Sequence, residues 1–410
     1  MKWMLLASML AWLPSCAQPE CTSPNYRRAE CRVIAENEAA RLLLPSGVEA
    51  RFQAVDAIDD STWDATGLLQ GIDAGLVRAR VAGLGAFAIS VRGVPSGPGT
   101  IDFVLDNVDA QAVVSVEAGG VITAVPAPPD GGLRREVSVA LDPAAPVWIR
   151  GDTPCTDRYR IAVTADIQTN PAQFERILEE LARETEEAQA MGEPMRGLVI
   201  AGDITESSRD DEFETMEAIL ATAPVPVAVT AGNHDIYRPF QPHYNRVFGP
   251  GNHAFQICTT RVVLLDSGSG AIARSVEGRL PELLDRGDAD HLVLGMHHPP
   301  YASLTGAGWS SERAAQRLLA EAAIADVDLI VAGHAHALHD FSSIPVGDRK
   351  LREIITGTGG AFQGLGVPRY GYVRLTISPD GIDTCFVEVP TPGFDGPQGD
   401  ELSDRLPYCD

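Results

Sequence analysis

The sequence predicts an α/β fold preceded by a smaller all-β module. Three observations carry that reading: six short apolar runs that each lead into polar residues, helical stretches between several of them, and, before residue 150, only short alternating patterns broken by glycine and proline. A strand covered on both faces reads as a continuous apolar run, whereas a half-exposed strand alternates. At 410 residues the chain is long for one compact unit, and 45% apolar content with 39 glycines and 29 prolines describes a globular protein with many turns. Acidic residues outnumber basic ones 56 to 32, a formal charge of −24, which argues against nucleic acid as a specific partner. An anionic substrate therefore needs a local cationic site.

The first element is MKWMLLASMLAWLPSC, with one early positive charge and an apolar stretch too short to span a bilayer. It reads as an export signal over residues 1–15, and Leu13-Pro14-Ser15-Cys16 resembles the lipobox of bacterial lipoproteins, which implies Cys16 as a lipid anchor at the head of a linker, 16–30. The expected location is periplasmic or cell-surface, held by a membrane; Ala17 after Cys16, in place of a retention aspartate, points to the outer one. The remaining Cys21, Cys31, Cys155, Cys258, Cys385 and Cys409 are an even set suited to disulfides in an oxidising compartment, with Cys21–Cys31 the simplest local pair.

Residues 31–152 follow as the β-sandwich-like module. Val77/Ala79/Val81, Phe87/Ile89/Val91 and Val137/Val139/Leu141 alternate at sandwich spacing, and a short helical stretch lies near 33–43. The α/β pattern fills 153–390. RIAVTAD (160–166) precedes Asn170, a helix N-cap candidate, Pro171 and a Glu-rich helix to about Ala190. GLVIAGD (197–203), a helix near 209–222, VPVAVTAGNHD (225–235), RVVLLDS (261–267), HLVLGMHHPP (291–300) and VDLIVAGHAH (327–336) continue the series into a largely buried sheet. A Pro/Gly-rich tail occupies 391–410.

Polar residues gather where open α/β sheets place their ligands, after the C-terminal ends of the runs. They are Asp166, Gln168, Asp203, Asn233, His234, Asp235, His297, His298, His334 and His336. Carboxylates, amides and neutral imidazoles are the donor set of divalent first-row metals such as Mn, Fe or Zn. Two histidines spaced i, i+2 in GHAH share one side of an extended segment. His243, His253, His291 and His339 stand outside these motifs and read as loop or surface residues.

D-x-[H/Q], GD, GNHD, H-x-P and GHxH, in that order over about residues 156–390, resemble the calcineurin-like metallophosphoesterase superfamily. The resemblance implies a four-layer α/β/β/α sandwich, two metal ions and hydrolysis of a small phosphate ester, mono- or diester. It implies that Asp203 bridges both ions, that Asp166, Gln168 and His336 belong to the first, and that Asn233, His297 and His334 hold the second. It makes His234 the residue that contacts the phosphate or protonates the leaving group, with Asp235 orienting it. Two departures matter: Gln168 stands where the motif usually has histidine, and Glu206 stands where the purple acid phosphatase branch has tyrosine, so no ferric-tyrosinate colour is expected. FGPGNHAF at 248–255 resembles a segment bordering the site in relatives. Tyr237, Arg238, Tyr244, Asn252, His253, His298, Tyr301 and Trp309 are therefore candidates for the substrate cleft, against core packing for the aromatics. An envelope lipoprotein that binds metal or ligand on the same fold without catalysis is the alternative.

Overall fold

The computed structural model describes residues 21, 24–59, 64–73, 75–94, 99–128, 131–301, 308–363, 369–391 and 406–409. The signal segment, Cys16 and most of the expected tail lie outside the described residues. Among those described, no helix is long and apolar enough to cross a membrane.

The N-terminal part is built from two sheets. Arg41–Leu43, Glu49–Gln53, Phe87–Arg92, Val147–Asp152, Val113–Ala118 and Val121–Val125 form one, antiparallel throughout, and Gly67–Gly71, Leu76–Val81, Thr100–Asp106 and Arg135–Ala140 form the other. The alternation seen in the sequence has its expected consequence: Val77, Ala79, Val81, Ile89, Val91, Val137 and Val139 share a single core with Phe52, Phe103 and Ile149. One pair, Leu76–Val81 with Thr100–Asp106, is parallel rather than antiparallel.

Beyond residue 158 the six apolar runs become strands, but they divide between two sheets instead of sharing one. Tyr159–Thr164, Met195–Ile200 and Val227–Val229 pair in parallel, extended by Gly371–Ser378 and Gly381–Glu388. Thr260–Leu265, His291–Met296 and Leu329–Ala332 pair in parallel with Arg349–Thr356, flanked by His253–Ile257 and Leu338–Val346. Burial on both faces is what the apolar runs encode, and either arrangement satisfies it.

The sheets face one another across a core containing Tyr159, Ile161, Val163 and Val199 from the first, and Val262, Leu264, Val293 and Val331 from the second. On the outer face of the first, Phe174, Ile177 and Leu181 of helix Pro171–Met191 and Phe213 and Met216 of helix Asp210–Leu220 pack against Ala162, Leu198 and Ile200. Leu318, Leu319 and Ala322 of helix Glu312–Ile324 cover the second. The result is the four-layer α/β/β/α sandwich. Asn170 caps its helix as expected, its side chain accepting from the Gln173 amide at 3.2 Å with Pro171 in the first turn, and Gly192 ends that helix at φ 76°.

Three disulfides join Cys21 to Cys31, Cys155 to Cys258 and Cys385 to Cys409. The first ends inside a helix, Ala29–Ala39, and Tyr26, Arg27 and Arg32 are tied to the rest of the fold. The Tyr26 amide donates to the Pro239 carbonyl at 2.7 Å, the Ser269 hydroxyl donates to the Arg27 carbonyl at 2.5 Å, and Arg32 forms a buried ion pair with Asp266 at 2.5 Å.

Candidate metal centre

Strands ending at Thr164, Ile200, Val229, Met296 and Ala332 deliver Asp166, Asp203, Asn233, His297 and His334 within four residues of their ends. The turns that follow are unusual: Asp166, Gln168, Asp203, His334 and His336 all have positive φ, between 40° and 70°. Non-glycine residues adopt that region at an energetic cost, and its concentration here marks backbone held in place to aim side chains. Two glycines permit the close approach. A Cβ on Gly232 would lie 2.1 Å from Asp203 Oδ1, and one on Gly202, at φ 87°, would lie 2.8 Å from the Gly232 nitrogen.

The side chains sort into two adjoining groups. In one, Asp166 Oδ1 is buried without a hydrogen-bond partner, 3.3 Å from His336 Nε2, while Asp166 Oδ2 accepts the His334 amide at 2.8 Å. In the other, Asn233 Oδ1 lies 3.0 Å from both His297 Nε2 and His334 Nδ1. Asp203 stands between them. Its Oδ2 is 3.2 Å from His297 Nε2 and accepts from Gln168 Nε2 at 2.6 Å; its Oδ1 accepts the His234 amide at 2.8 Å. Ligand atoms of Asp166, Asp203 and His297 all lie within 4.8 Å of one another, and so do those of His297, His298 and His334.

Carbonyl oxygens fix the ring orientations. His297 Nδ1 faces the Ala201 carbonyl at 3.0 Å and His336 Nδ1 faces the Phe362 carbonyl at 2.9 Å; because a carbonyl only accepts, each Nδ1 carries the proton and each Nε2 is left as the donor atom. Burial pushes His334 down to about 4, with His297 adding to the effect, so its ring is neutral. Burial also opposes charge on Asp203 and on His297, yet with no cation bound each stabilises the other: a proton on His297 Nε2, pushed up to about 9 by Asp203, and the His234 amide hold the Asp203 carboxyl below its usual range, and a metal ion would take that proton's place. A buried carboxylate oxygen without a partner, carboxylates and amide oxygen among correctly oriented imidazoles, and strained backbone beneath them fit a pair of divalent cations.

Gln168 departs from its expected part. It turns its amide nitrogen to Asp203, and nitrogen of an amide is a donor, so in this orientation it positions the carboxylate instead of offering a ligand oxygen. Asp235 also differs. Its carboxylate accepts the amides of Asp203, Ile204, Thr205 and Gly232 at 2.9–3.0 Å, and it is Glu206 that orients the His234 ring, through its carbonyl at 2.7 Å and its carboxylate at 3.4 Å from Nδ1. His234 Nε2 faces the Tyr237 hydroxyl at 3.2 Å.

A cleft of about 480 Å³ opens beside this cluster, lined by Asn233, Tyr237, His298, Trp309 and the turn Gly268–Gly270, with Arg27 among them. Of the substrate-contact candidates, Tyr237, His298 and Trp309 are here. Tyr244 is core, its hydroxyl donating to the Val229 carbonyl. Asn252 is spent on Glu36 and on the Asp266 amide, His253 is buried against Phe255, and Tyr301 packs on Phe341 beside a different cavity. Arg238 is exposed and does not line the cleft. Arg27 was not foreseen, because only the folding back of the N-terminal segment brings it here. His243, His291 and His339 take partners elsewhere: Asp210, the Ser378 carbonyl and the Phe341 ring.

Residues 159–338 match the family model of the calcineurin-like phosphoesterases. The matched residues contain every strand end that converges on the cluster. Over 201 residues, 46% of this chain and 82% of the relative, the sequence is 25% identical to a "Probable cyclic nucleotide phosphodiesterase" of Ruthia magnifica subsp. Calyptogena magnifica. The fold is similar to that of a purple acid phosphatase from yellow lupin (Lupinus luteus), with a TM-score of 0.50 and 14% identity, covering 75% of this chain and 70% of that one. A dimetal phosphatase from Danio rerio overlays with a TM-score of 0.39 and 12% identity over 57% of this chain and 99% of its own.

Proposed function

We propose that the calcineurin-like phosphoesterase domain hydrolyses a small phosphate ester with two divalent metal ions. The convergence of Asp166, Asp203 and His297 ligand atoms within 4.8 Å, with Asn233 and His334 adjoining them, is the observation that carries this reading. Asp166 and His336 would hold one ion and Asn233, His297 and His334 the other, with Asp203 shared. Bound there, such ions lower the pKa of a water and neutralise phosphoryl charge.

The chain's own groups supply the rest. Asp203 is fixed from both sides, by Gln168 and by the His234 amide, so the shared carboxylate needs no reorganisation when substrate arrives. Because the Glu206 carbonyl accepts the proton of His234 Nδ1, Nε2 is the ring atom turned to the site beside the Tyr237 hydroxyl, placed to pass a proton between that side of the cleft and the leaving oxygen. Asp235 keeps the turns bearing Asp203 and Asn233 at a fixed separation. No serine or cysteine nucleophile is required, since attack by water is direct. Resemblance to a probable cyclic nucleotide phosphodiesterase supports the diester side of the substrate range. Metal binding without turnover is a second reading, favoured by the amide nitrogen that Gln168 presents.

Elemental analysis of the purified protein together with a panel of phosphate mono- and diesters tests the proposal. About two metal ions per chain and turnover of at least one ester class are expected, and Asp203→Asn loses both, because one carboxylate serves both ions. A wild-type protein carrying both metals and inert on the whole panel overturns it.

A further inference from the structure

The cleft beside the metal centre has one wall that does not come from the phosphoesterase domain. It is formed by the segment around Arg27, and this is the cation among the residues lining the cleft. In a chain of net charge −24 an anion is repelled by the surface as a whole, so a guanidinium at the mouth of the site has disproportionate influence on what enters.

Arg27 is also held in place. Its Nε donates to the Tyr237 carbonyl at 2.9 Å, its own carbonyl accepts from Ser269 at 2.5 Å, and its amide donates to Asn25 Oδ1 at 3.2 Å. Next to it, Tyr26 is gripped from two sides: its amide donates to Pro239 at 2.7 Å and its carbonyl accepts from Arg32 Nη1 at 2.7 Å. Arg32 is in turn locked to Asp266, and Cys21–Cys31 closes the segment onto its helix. The segment thus bridges the turn after Asn233 and the turn after Asp266, the two sides of the cleft. With Nε committed to Tyr237, no contact described for Arg27 uses its two Nη groups, and a planar guanidinium so disposed matches the paired oxygens of a phosphate or carboxylate.

We propose that Arg27 is a specificity-determining residue: the substrate of this site carries a second anionic group that Arg27 binds while the scissile phosphate occupies the metal centre. This rests on the phosphoesterase reading and narrows it to substrates with two linked negative groups, such as nucleoside diphosphates, in which water cleaves the P–O–P bond and the nucleoside monophosphate leaves. The tyrosine and indole rings of Tyr237 and Trp309 at the same cleft add apolar surface for the nucleoside beyond the two anions.

The test compares wild type, Arg27→Ala and Arg27→Lys on p-nitrophenyl phosphate, a nucleoside monophosphate and the matching nucleoside diphosphate, with inorganic pyrophosphate titrated calorimetrically into the metal-loaded protein. Arg27→Ala is expected to raise KM for the diphosphate by about tenfold or more with kcat within about threefold, to leave p-nitrophenyl phosphate nearly unchanged, and to weaken pyrophosphate binding to a similar degree. Arg27→Lys restores part of the loss. Equal effects on all esters, or no effect on diphosphate KM and pyrophosphate affinity, overturn the assignment. A wild type that hydrolyses nothing but binds pyrophosphate through Arg27 defeats the phosphoesterase reading and leaves the anion site standing.

Discussion

Gln168 Nε2 lies 2.6 Å from Asp203 Oδ2, so the residue that stands where a histidine was expected spends its polar group on the carboxylate lying between the two groups of the candidate centre. An amide is a weaker donor to a first-row metal than an imidazole, and one that presents nitrogen is no donor at all.

Gln168→His is accordingly expected to tighten the first metal site. Metal retained through a chelator titration should rise by about tenfold or more, the range over which groups around a metal site tune its affinity. Turnover should rise with occupancy at sub-saturating metal and change little at saturation. Activity appearing only in the variant would instead favour metal binding without catalysis in the natural chain.

Asp235 provides a second test, because its neighbours separate two roles. Four buried backbone amides, of Asp203, Ile204, Thr205 and Gly232, point at its carboxylate, whereas the His234 ring is held by Glu206. Asp235→Ala leaves those donors unpaired, at roughly 1–3 kcal/mol for each buried group that water does not reach. The expected result is a marked fall in melting temperature together with loss of metal, and an unchanged dependence of the remaining rate on leaving-group pKa. Intact stability and metal content with a lowered kcat would return Asp235 to the part of orienting the general acid.

Much of the candidate metal centre was legible because each of its side chains sits within a few residues of a strand end, where local sequence states both the strand and the turn. His297, His298 and His334 converge, with His336 beside Asp166; His243, His253 and His291, expected on loops or the surface, are instead buried in a helix and two strands and do not join the cluster. What local sequence did not carry was the assignment of six similar runs to two sheets, since burial on both faces looks the same in either. Nor did it separate Tyr237 from Tyr244. A 3₁₀ turn, His234–Ile236, leaves the first exposed, and the helix His243–Phe248 rolls the second into the core. Asn252 illustrates a third limit: it matches a segment that borders the site in relatives, yet helix Ala29–Ala39, more than 200 positions away, sets its partners.

That same helix provides a pH test remote from the metal ligands. Glu36 is buried and accepts the amides of Gly251 and Asn252 at 2.9 and 3.1 Å, with Arg32 and Asp266 close by. Burial, reinforced by the negative charge of Asp266, pushes its carboxyl up to about 8. In the unfolded chain the same group ionises near its ordinary value of 4.5, so the folded state binds the extra proton between the two values. Its contribution to stability is complete below about pH 4.5 and is lost as pH rises through 8, at up to about 1.4 kcal/mol per pH unit. Glu36→Gln keeps an amide oxygen for the two backbone donors and removes the titration. Denaturant unfolding at pH 5, 6.5 and 8 should therefore show wild type losing stability relative to the variant as pH rises, and parallel pH profiles for the two proteins would contradict a protonated Glu36.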